Sequence, residues 1–158
     1  MKILMVCLGN ICRSPMMQGW LETAVAGEPG LAGRIEVDSA AIGPWHVGRP
    51  PDPRAIAEAR RNGVGIAGQR ARQIGPDDFH DSDLILFADA DTLHEGRVRA
   101  GGRGRAELAR YLDWAGIDGG RDLADPYYGD AGDFERAWWR VAEGGGAVVR
   151  RLLDIQRR

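Results

Sequence analysis

Lys2-Ile3-Leu4-Met5-Val6-Cys7-Leu8-Gly9-Asn10-Ile11-Cys12-Arg13-Ser14-Pro15 decides how the rest of the chain is read. Residues 2–7 form an almost continuous apolar run, the pattern of a strand buried on both faces of a parallel sheet. Gly9-Asn10 ends it, because both residues tolerate a left-handed backbone. Ser14-Pro15 then reads as an N-cap and first-turn pair. Met16, Met17, Trp20, Leu21, Ala24 and Val25 follow at helical spacing to about Gly27. The stretch is strand, tight loop, helix.

Working outward, residues 34–41 alternate and predict a second strand. Residues 43–53 hold four prolines and two glycines and predict an irregular loop. Residues 54–62 predict a short helix with Ala55, Ile56 and Ala59 on one face, and residues 83–88 a buried strand. A helix is expected from about Asp91. Residues 105–113 fit either a helix or a short strand, 120–132 a loop, and 133–156 a helix weakened at Gly144-Gly145-Gly146. Strands alternating with helices imply an α/β sandwich on a parallel sheet. In such a fold ligands bind beyond the carboxyl ends of the strands, which puts the loop from Cys7 to Ser14 at the site.

Composition narrows the function. The chain has 158 residues, the size of one domain, with 21 basic and 23 acidic residues and a net charge of −2. That balance does not favour a generic nucleic-acid binder. Two cysteines five positions apart cannot staple a fold, so a secreted disulfide scaffold is excluded. The apolar run Ile3–Leu8 is far shorter than a membrane span and is not followed by a signal-peptide cleavage pattern. A soluble, cytoplasmic protein with no membrane association is expected. His46, His80 and His94 are too scattered to predict a metal site, and surface or core roles are their default reading. Trp20, Trp138 and Trp139 read as core or helix-face packing.

The loop itself carries chemistry. Successive N–H groups entering a helix N-terminus make a nest for an oxyanion, and the helix dipole adds positive potential. Arg13 adds a fork of donors matched to phosphate oxygens. Cys7 at the base of this cup has the surroundings that favour a thiolate nucleophile, with the Ser14 hydroxyl as a hydrogen-bond partner. A lone strand-end cysteine is otherwise most often inert and buried. Hydrolysis of a phosphate ester also needs a proton for the leaving oxygen. Asp125-Pro126-Tyr127-Tyr128-Gly129 offers a carboxylic acid and two rings able to wall an aromatic slot, although alone it would read as a surface turn.

These residues resemble the low-molecular-weight protein tyrosine phosphatase family. Val6 to Pro15 matches the family's phosphate loop at every position, and Asp125 to Gly129 matches its acid loop. Asp38-Ser39-Ala40, His46 to Arg54 and Arg70-Ala71-Arg72-Gln73 are similar to further family segments, so the likeness runs from Lys2 to about Asp154. The resemblance implies one phosphatase domain over residues 1–158. It implies a three-layer, flavodoxin-like (phosphotyrosine phosphatase I-like) α/β sandwich with a four-stranded parallel sheet in the order 2-1-3-4. Cys7 is then the nucleophile that carries a phosphocysteine. Arg13 and the amides of Leu8, Gly9, Asn10, Ile11, Cys12 and Ser14 bind phosphate, and Asp125 is the general acid and base. No metal and no cofactor are implied. The partner is a tyrosine-phosphorylated protein or peptide, and the chain is a monomer or weak dimer. Cys12 matches a second loop cysteine that pairs with Cys7 on oxidation; otherwise it is a small core residue. Asn10, Ser14 and Ser39 match residues that brace the loop, and Gln69 stands where their usual histidine partner would be. Trp45, Tyr127 and Tyr128 match the substrate slot.

Departures occur at Gln69, at Ala88-Asp89 and at Thr92-Leu93, where the family has His, Met-Asp and Asn-Leu. Ile11 favours phosphotyrosine, since related arginine phosphatases carry Thr there. A thiol reductase of the arsenate-reducing type shares this loop but needs resolving cysteines downstream, and none follows Cys12. A non-catalytic phosphate-binding module would be expected to lack Cys7 or Asp125, and both are present.

Overall fold

Strand β1 (Lys2–Cys7) pairs in parallel on both sides, with β2 (Glu36–Ala41) and β3 (Leu84–Phe87), as its unbroken apolar character requires. The computed structural model describes residues 1–117 and 121–158. Its helices are α1 (Arg13–Ala26), α2 (Pro53–Arg61), α3 (Pro76–Asp81), α4 (Ala90–Ala100), α5 (Tyr111–Trp114) and α6 (Ala131–Gln156). The fourth strand, β4 (Glu107–Arg110), pairs with β3, so the sheet runs β2-β1-β3-β4, all parallel. This is the expected sandwich and strand order.

Alternate strand residues feed two cores. Ile3, Met5, Cys7, Leu84 and Leu86 face a cluster that includes Met16, Met17 and Leu21 of α1, Tyr111 and Leu112 of α5, and Phe134, Trp138 and Val141 of α6. Leu4, Val6, Ile85 and Phe87 face a smaller one with Phe79 of α3 and Ala100 of α4. Met16, Met17 and Leu21 are fully buried, and each removes from water an area that stabilises the fold by about 1.5–3 kcal/mol. Among the described residues no helix is long and apolar enough to cross a membrane.

Several element boundaries differ from the sequence expectation. Strand β2 begins at Glu36, not residue 34, and α6 begins at Ala131, where Asp130 caps it by accepting from Asp133 N–H at 3.1 Å. The ambiguous stretch 105–113 divides into β4 and the short α5. The expected loop 120–132 is loop from Arg121 to Asp130, its residue 120 lying outside the described residues. Helix α3 was not anticipated: six residues are too few to show a period. Helix α1 starts at Arg13 with Cys12, not Ser14, in the N-cap position and with no capping side chain.

The three glycines do not interrupt α6. A Cβ on Gly145 would lie 2.2 Å from the Trp20 ring, and one on Gly144 would lie 2.5 Å from Tyr111. The helix spends about 1 kcal/mol per glycine in propensity and gains close approach to α1 and α5. Of the tryptophans expected in the core or on a helix face, Trp138 is buried and Trp20 half-buried, whereas Trp139 is exposed on α6.

Candidate active site

The carboxyl end of β1 delivers Cys7 to the floor of a cleft of about 310 Å³. Its thiol is nearly covered at 3% exposure, yet two groups with hydrogens to give reach it. Asn10 N–H points at Sγ from 3.3 Å, and the Ser14 hydroxyl lies 3.0 Å away. Ser14 lies inside the first turn of α1, whose N-cap position is held by Cys12 with no capping side chain, so its hydroxyl is available to the sulfur. The N–H groups of Gly9, Ile11 and Cys12 have no protein acceptor among the described residues. Together with the helix terminus they form a concavity for an anion.

The turn needs a left-handed residue, and Asn10 supplies it with φ 57°. Buried bonds hold it there. Asn10 Nδ2 donates to Ser14 Oγ at 2.8 Å and to Ser39 Oγ at 2.9 Å, while Oδ1 accepts from Arg72 N–H at 3.1 Å. Arg72 is itself clamped between Asp38 and Asp78, both at 2.9 Å. Loop 42–46 is drawn over the cup because Ile42 N–H and Gly43 N–H donate to the carbonyls of Cys7 and Leu8, both at 3.0 Å. The Trp45 ring then folds back over Gly43, where a Cβ would lie only 1.9 Å from it.

Arg13 is 3% exposed and aimed across the cleft. Its Nη1 donates to Asp89 at 2.7 Å and to Leu123 O at 2.8 Å, and its Nη2 lies 3.5 Å from Asp125. Burial opposes its charge, but Cys7, Asp89 and Asp125 outweigh burial and hold the guanidinium above its ordinary value. Asp89 is likewise pushed up by burial, yet Thr92 and Arg13 more than offset this and keep it below the usual carboxylate range. Burial, then the charges of Asp52, Cys7 and Asp125, push the Cys12 thiol well above its ordinary value, so Cys12 stays protonated. Both cysteines are free.

The opposite wall is the loop after Leu123. Asp125 is exposed, with Oδ1 accepting from Tyr127 N–H at 3.1 Å. Tyr127 and Tyr128 meet edge to face at 4.9 Å. Arg54 ties this loop to α2, donating to Tyr127 O at 2.9 Å and Gly129 O at 3.1 Å. The cleft between the walls is lined by Cys7, Leu8, Arg13, Asp125 and a rim of Trp45, His46, Tyr127 and Tyr128. A thiol-bearing anion cup thus faces a carboxyl group across an aromatic-rimmed slot.

The whole-chain comparison agrees in family. Residues 2–154 match the family described as low molecular weight phosphotyrosine protein phosphatase. The chain belongs to that family. Among its relatives is the low molecular weight protein-tyrosine-phosphatase YfkJ of Bacillus subtilis, 38% identical over 143 residues, 90% of each chain. The crystal structure of YfkJ superposes with a TM-score of 0.87 at 36% identity, covering 96% of this chain and 94% of that one. The crystal structure of a Drosophila arginine phosphatase also superposes, with a TM-score of 0.89 at 27% identity and 96% and 98% coverage. The fold of this phosphatase family is therefore shared with an enzyme named for a different phosphorylated residue.

All but one of the site residues expected from the sequence fall into two groups. Cys7, Leu8, Gly9, Ile11, Cys12, Arg13, Trp45, Asp125, Tyr127 and Tyr128 all line the cleft. Asn10, Ser14 and Ser39 form a buried layer behind it. Gln69 belongs to neither. Its Nε2 donates to Pro15 O at 3.1 Å, and its Oε1 has no partner. Ser39 instead donates to Gln18 Oε1 at 2.6 Å. The position of Gln69 in sequence suggested a brace to Ser39, but its amide is spent on the first turn of α1. Sequence reading also missed Asp89 as the anchor of Arg13, Arg54 as the anchor of the acid loop, and His46, which lines the cleft instead of taking a generic surface or core role. The signal for Asp89 was available as a carboxylate at the end of β3, level with the cup. Among the described residues no three His, Cys, Asp or Glu side chains are grouped as a metal site.

Proposed function

We propose that the protein hydrolyses phosphotyrosine in tyrosine-phosphorylated proteins or peptides through a phosphocysteine on Cys7, with residues 1–158 forming one phosphatase domain. The observation that carries this reading is the convergence of Cys7, Arg13 and Asp125 on one cleft rimmed by aromatic rings. Cys7 Sγ attacks phosphorus, the phosphorus–oxygen bond breaks, and the leaving phenol takes the proton of Asp125. Water then attacks the phosphocysteine, Asp125 takes its proton, and the sulfur–phosphorus bond breaks to release phosphate and the thiolate. Arg13 and the loop amides stabilise the charge on the equatorial oxygens in both steps. Ser14 donates to the sulfur when it leaves as thiolate. These residues supply the positive field, so the reaction needs neither metal nor cofactor.

Trp45, Tyr127 and Tyr128 hold the phenyl ring, and the depth of the slot favours an aryl phosphate over a serine phosphate. Ile11 beside Cys7 favours phosphotyrosine over phosphoarginine. Inorganic phosphate and other oxyanions occupy the same cup. The enzyme acts in the cytoplasm, away from nucleic acid and membrane, as a monomer or weak dimer. Oxidation of Cys7 by a peroxide, which is reduced to water or alcohol, gives a sulfenic acid; the Cys12 thiol attacks its sulfur to form the disulfide with loss of water, which protects Cys7 from irreversible oxidation.

The test is an assay with chelator present on phosphotyrosine, phosphoserine and phosphoarginine peptides. Phosphotyrosine is expected to turn over fastest, and Cys7→Ser to abolish it. Turnover retained in Cys7→Ser ends the covalent mechanism, and preferential turnover of phosphoarginine reassigns the substrate.

A further inference from the structure

Beyond the residues that touch substrate, one chain of hydrogen bonds leads from the sulfur to the outer face of α1, and its proton directions can be read atom by atom. It starts at Glu22, an exposed carboxylate that can only accept. Gln18 Nε2 donates to Glu22 Oε1 at 2.8 Å. The Gln18 amide is thereby turned so that Oε1 faces inward, where it accepts the Ser39 hydroxyl hydrogen at 2.6 Å. The Ser39 oxygen is left with lone pairs for Asn10 Nδ2 at 2.9 Å. Asn10 is fixed in the same sense from its other end, because Oδ1 accepts from Arg72 N–H, a group that can only donate. Its second amide hydrogen goes to Ser14 Oγ at 2.8 Å. Ser14 accepts there, so its own hydrogen is free to turn to Cys7 Sγ, 3.0 Å away.

From this single-sense chain we infer that Gln18 is a positioning residue of the phosphatase reaction: by drawing the Ser39 hydrogen outward, it joins the Arg72 N–H in holding the Asn10 amide so that Ser14 presents a hydrogen, not a lone pair, to the Cys7 sulfur. Gln18 lines no part of the cleft and acts only through Ser39, Asn10 and Ser14. Gln69 does not share this role, since Ser39 gives its hydrogen to Gln18 and not to the Gln69 oxygen. Charge-assisted hydrogen bonds are worth more than neutral ones, so the benefit falls on the thiolate, both as nucleophile and as leaving group. The inference rests on the phosphocysteine reading above, but thiol reactivity tests it apart from turnover.

The experiment compares wild type, Gln18→Met, Gln18→Glu and Glu22→Lys in the full chain. It reads kcat and KM on p-nitrophenyl phosphate, melting temperature, and the rate of Cys7 alkylation by iodoacetamide at about pH 6, with Cys7 and Cys12 peptides resolved by mass spectrometry. Gln18→Met is expected to lower kcat and Cys7 alkylation about fivefold, with KM changed less than about twofold. Gln18→Glu keeps an acceptor on Ser39 and stays within about twofold of wild type. Glu22→Lys places a donor where only an acceptor stood, turns the Gln18 amide over, and lowers both rates about threefold. An added positive charge acting at a distance would instead raise thiolate reactivity, so the direction of that change separates the two causes. Unchanged alkylation in both Gln18→Met and Glu22→Lys overturns the inference, as does a loss in Gln18→Met that follows melting temperature alone while Glu22→Lys stays at wild type. If Gln18→Met fails to fold, the exposed Glu22→Lys decides alone. The expected alkylation order in a protein that does not hydrolyse phosphotyrosine would uphold the inference and remove the proposed function.

Discussion

The loops that face each other across the cleft are built in opposite ways. The phosphate loop is covered: Cys7, Asn10, Cys12, Arg13 and Ser14 are all buried, and side-chain bonds fix Asn10 in its left-handed turn. The acid loop is open. Asp125 and Asp130 are exposed, Tyr128 is 95% exposed, and much of the loop's attachment comes from one side chain, Arg54, together with the backbone bond of Leu123 to Ala88 at 2.8 Å. The difference fits the role proposed for each loop. Charge builds on the phosphoryl oxygens in every turnover, and dipoles aimed there are most useful when they need no reorganisation. In the proposed reaction the acid admits a substrate ring, reaches its leaving oxygen and later meets water, so solvent access and lighter tethering suit it.

Four substitutions would break or sharpen this contrast. Asp125→Ala is expected to cost the most, about a thousandfold in kcat on phosphotyrosine, but less than about tenfold on an ester with an acidic leaving group. Equal losses on the two substrates would mean that the open loop does not supply the proton. Asp89→Asn acts on the covered side. It removes the carboxylate at 2.7 Å from Arg13, and unfolding in denaturant should show a loss of about 2–3 kcal/mol near neutral pH. Because the folded carboxyl of Asp89 is held below its unfolded value, its contribution is present above about pH 4 and disappears as pH falls through the lowered value. The acid limb of the stability curve should therefore be shallower in Asp89→Asn than in wild type.

Arg54→Ala releases the acid loop while leaving the cup bonded. Turnover of phosphotyrosine should fall about tenfold, with the inhibition constant of inorganic phosphate unchanged within about twofold. A parallel weakening of phosphate binding would show that the loops are one mechanical unit. Tyr128→Ala is expected to do least, raising KM for a phosphotyrosine peptide about threefold with no shift in melting temperature. A change in kcat instead would place Tyr128 in the chemical step.

The same contrast explains what could be read in advance. The cup was legible because its chemistry is local: a buried strand, a Gly-Asn turn, and Cys, Arg and Ser at fixed spacing all lie within Lys2 to Pro15. The sheet order came through the resemblance, and β1, β3 and α1 through their apolar patterns. The Asn10, Ser14 and Ser39 brace came through the resemblance, but the anchors of Arg13 were not legible, because they are supplied from far along the chain. Asp89 lies 76 positions from Arg13, Leu123 lies 110, and Ser39 finds Gln18 where a partner at position 69 was expected. An amide can face either way, so residue type alone says nothing about which atom of Gln69 or Gln18 meets which neighbour. Elements shorter than two helical turns, such as α3 and α5, carry too few residues for a period to register.

The approach of Gly145 to Trp20 has a consequence of its own. The space beside Gly145 is filled by the Trp20 ring, which leaves no room for even a methyl group between α6 and the helix that starts at the cup. The amides proposed to receive phosphate then have little freedom to lose when it arrives. Calorimetry of phosphate binding should therefore show a small heat-capacity change, and hydrogen exchange across residues 8–14 should be nearly the same with and without the anion. A Gly145→Ala protein, with that spacing forced open, should recover part of its order only on binding, and its heat of binding should carry that folding contribution.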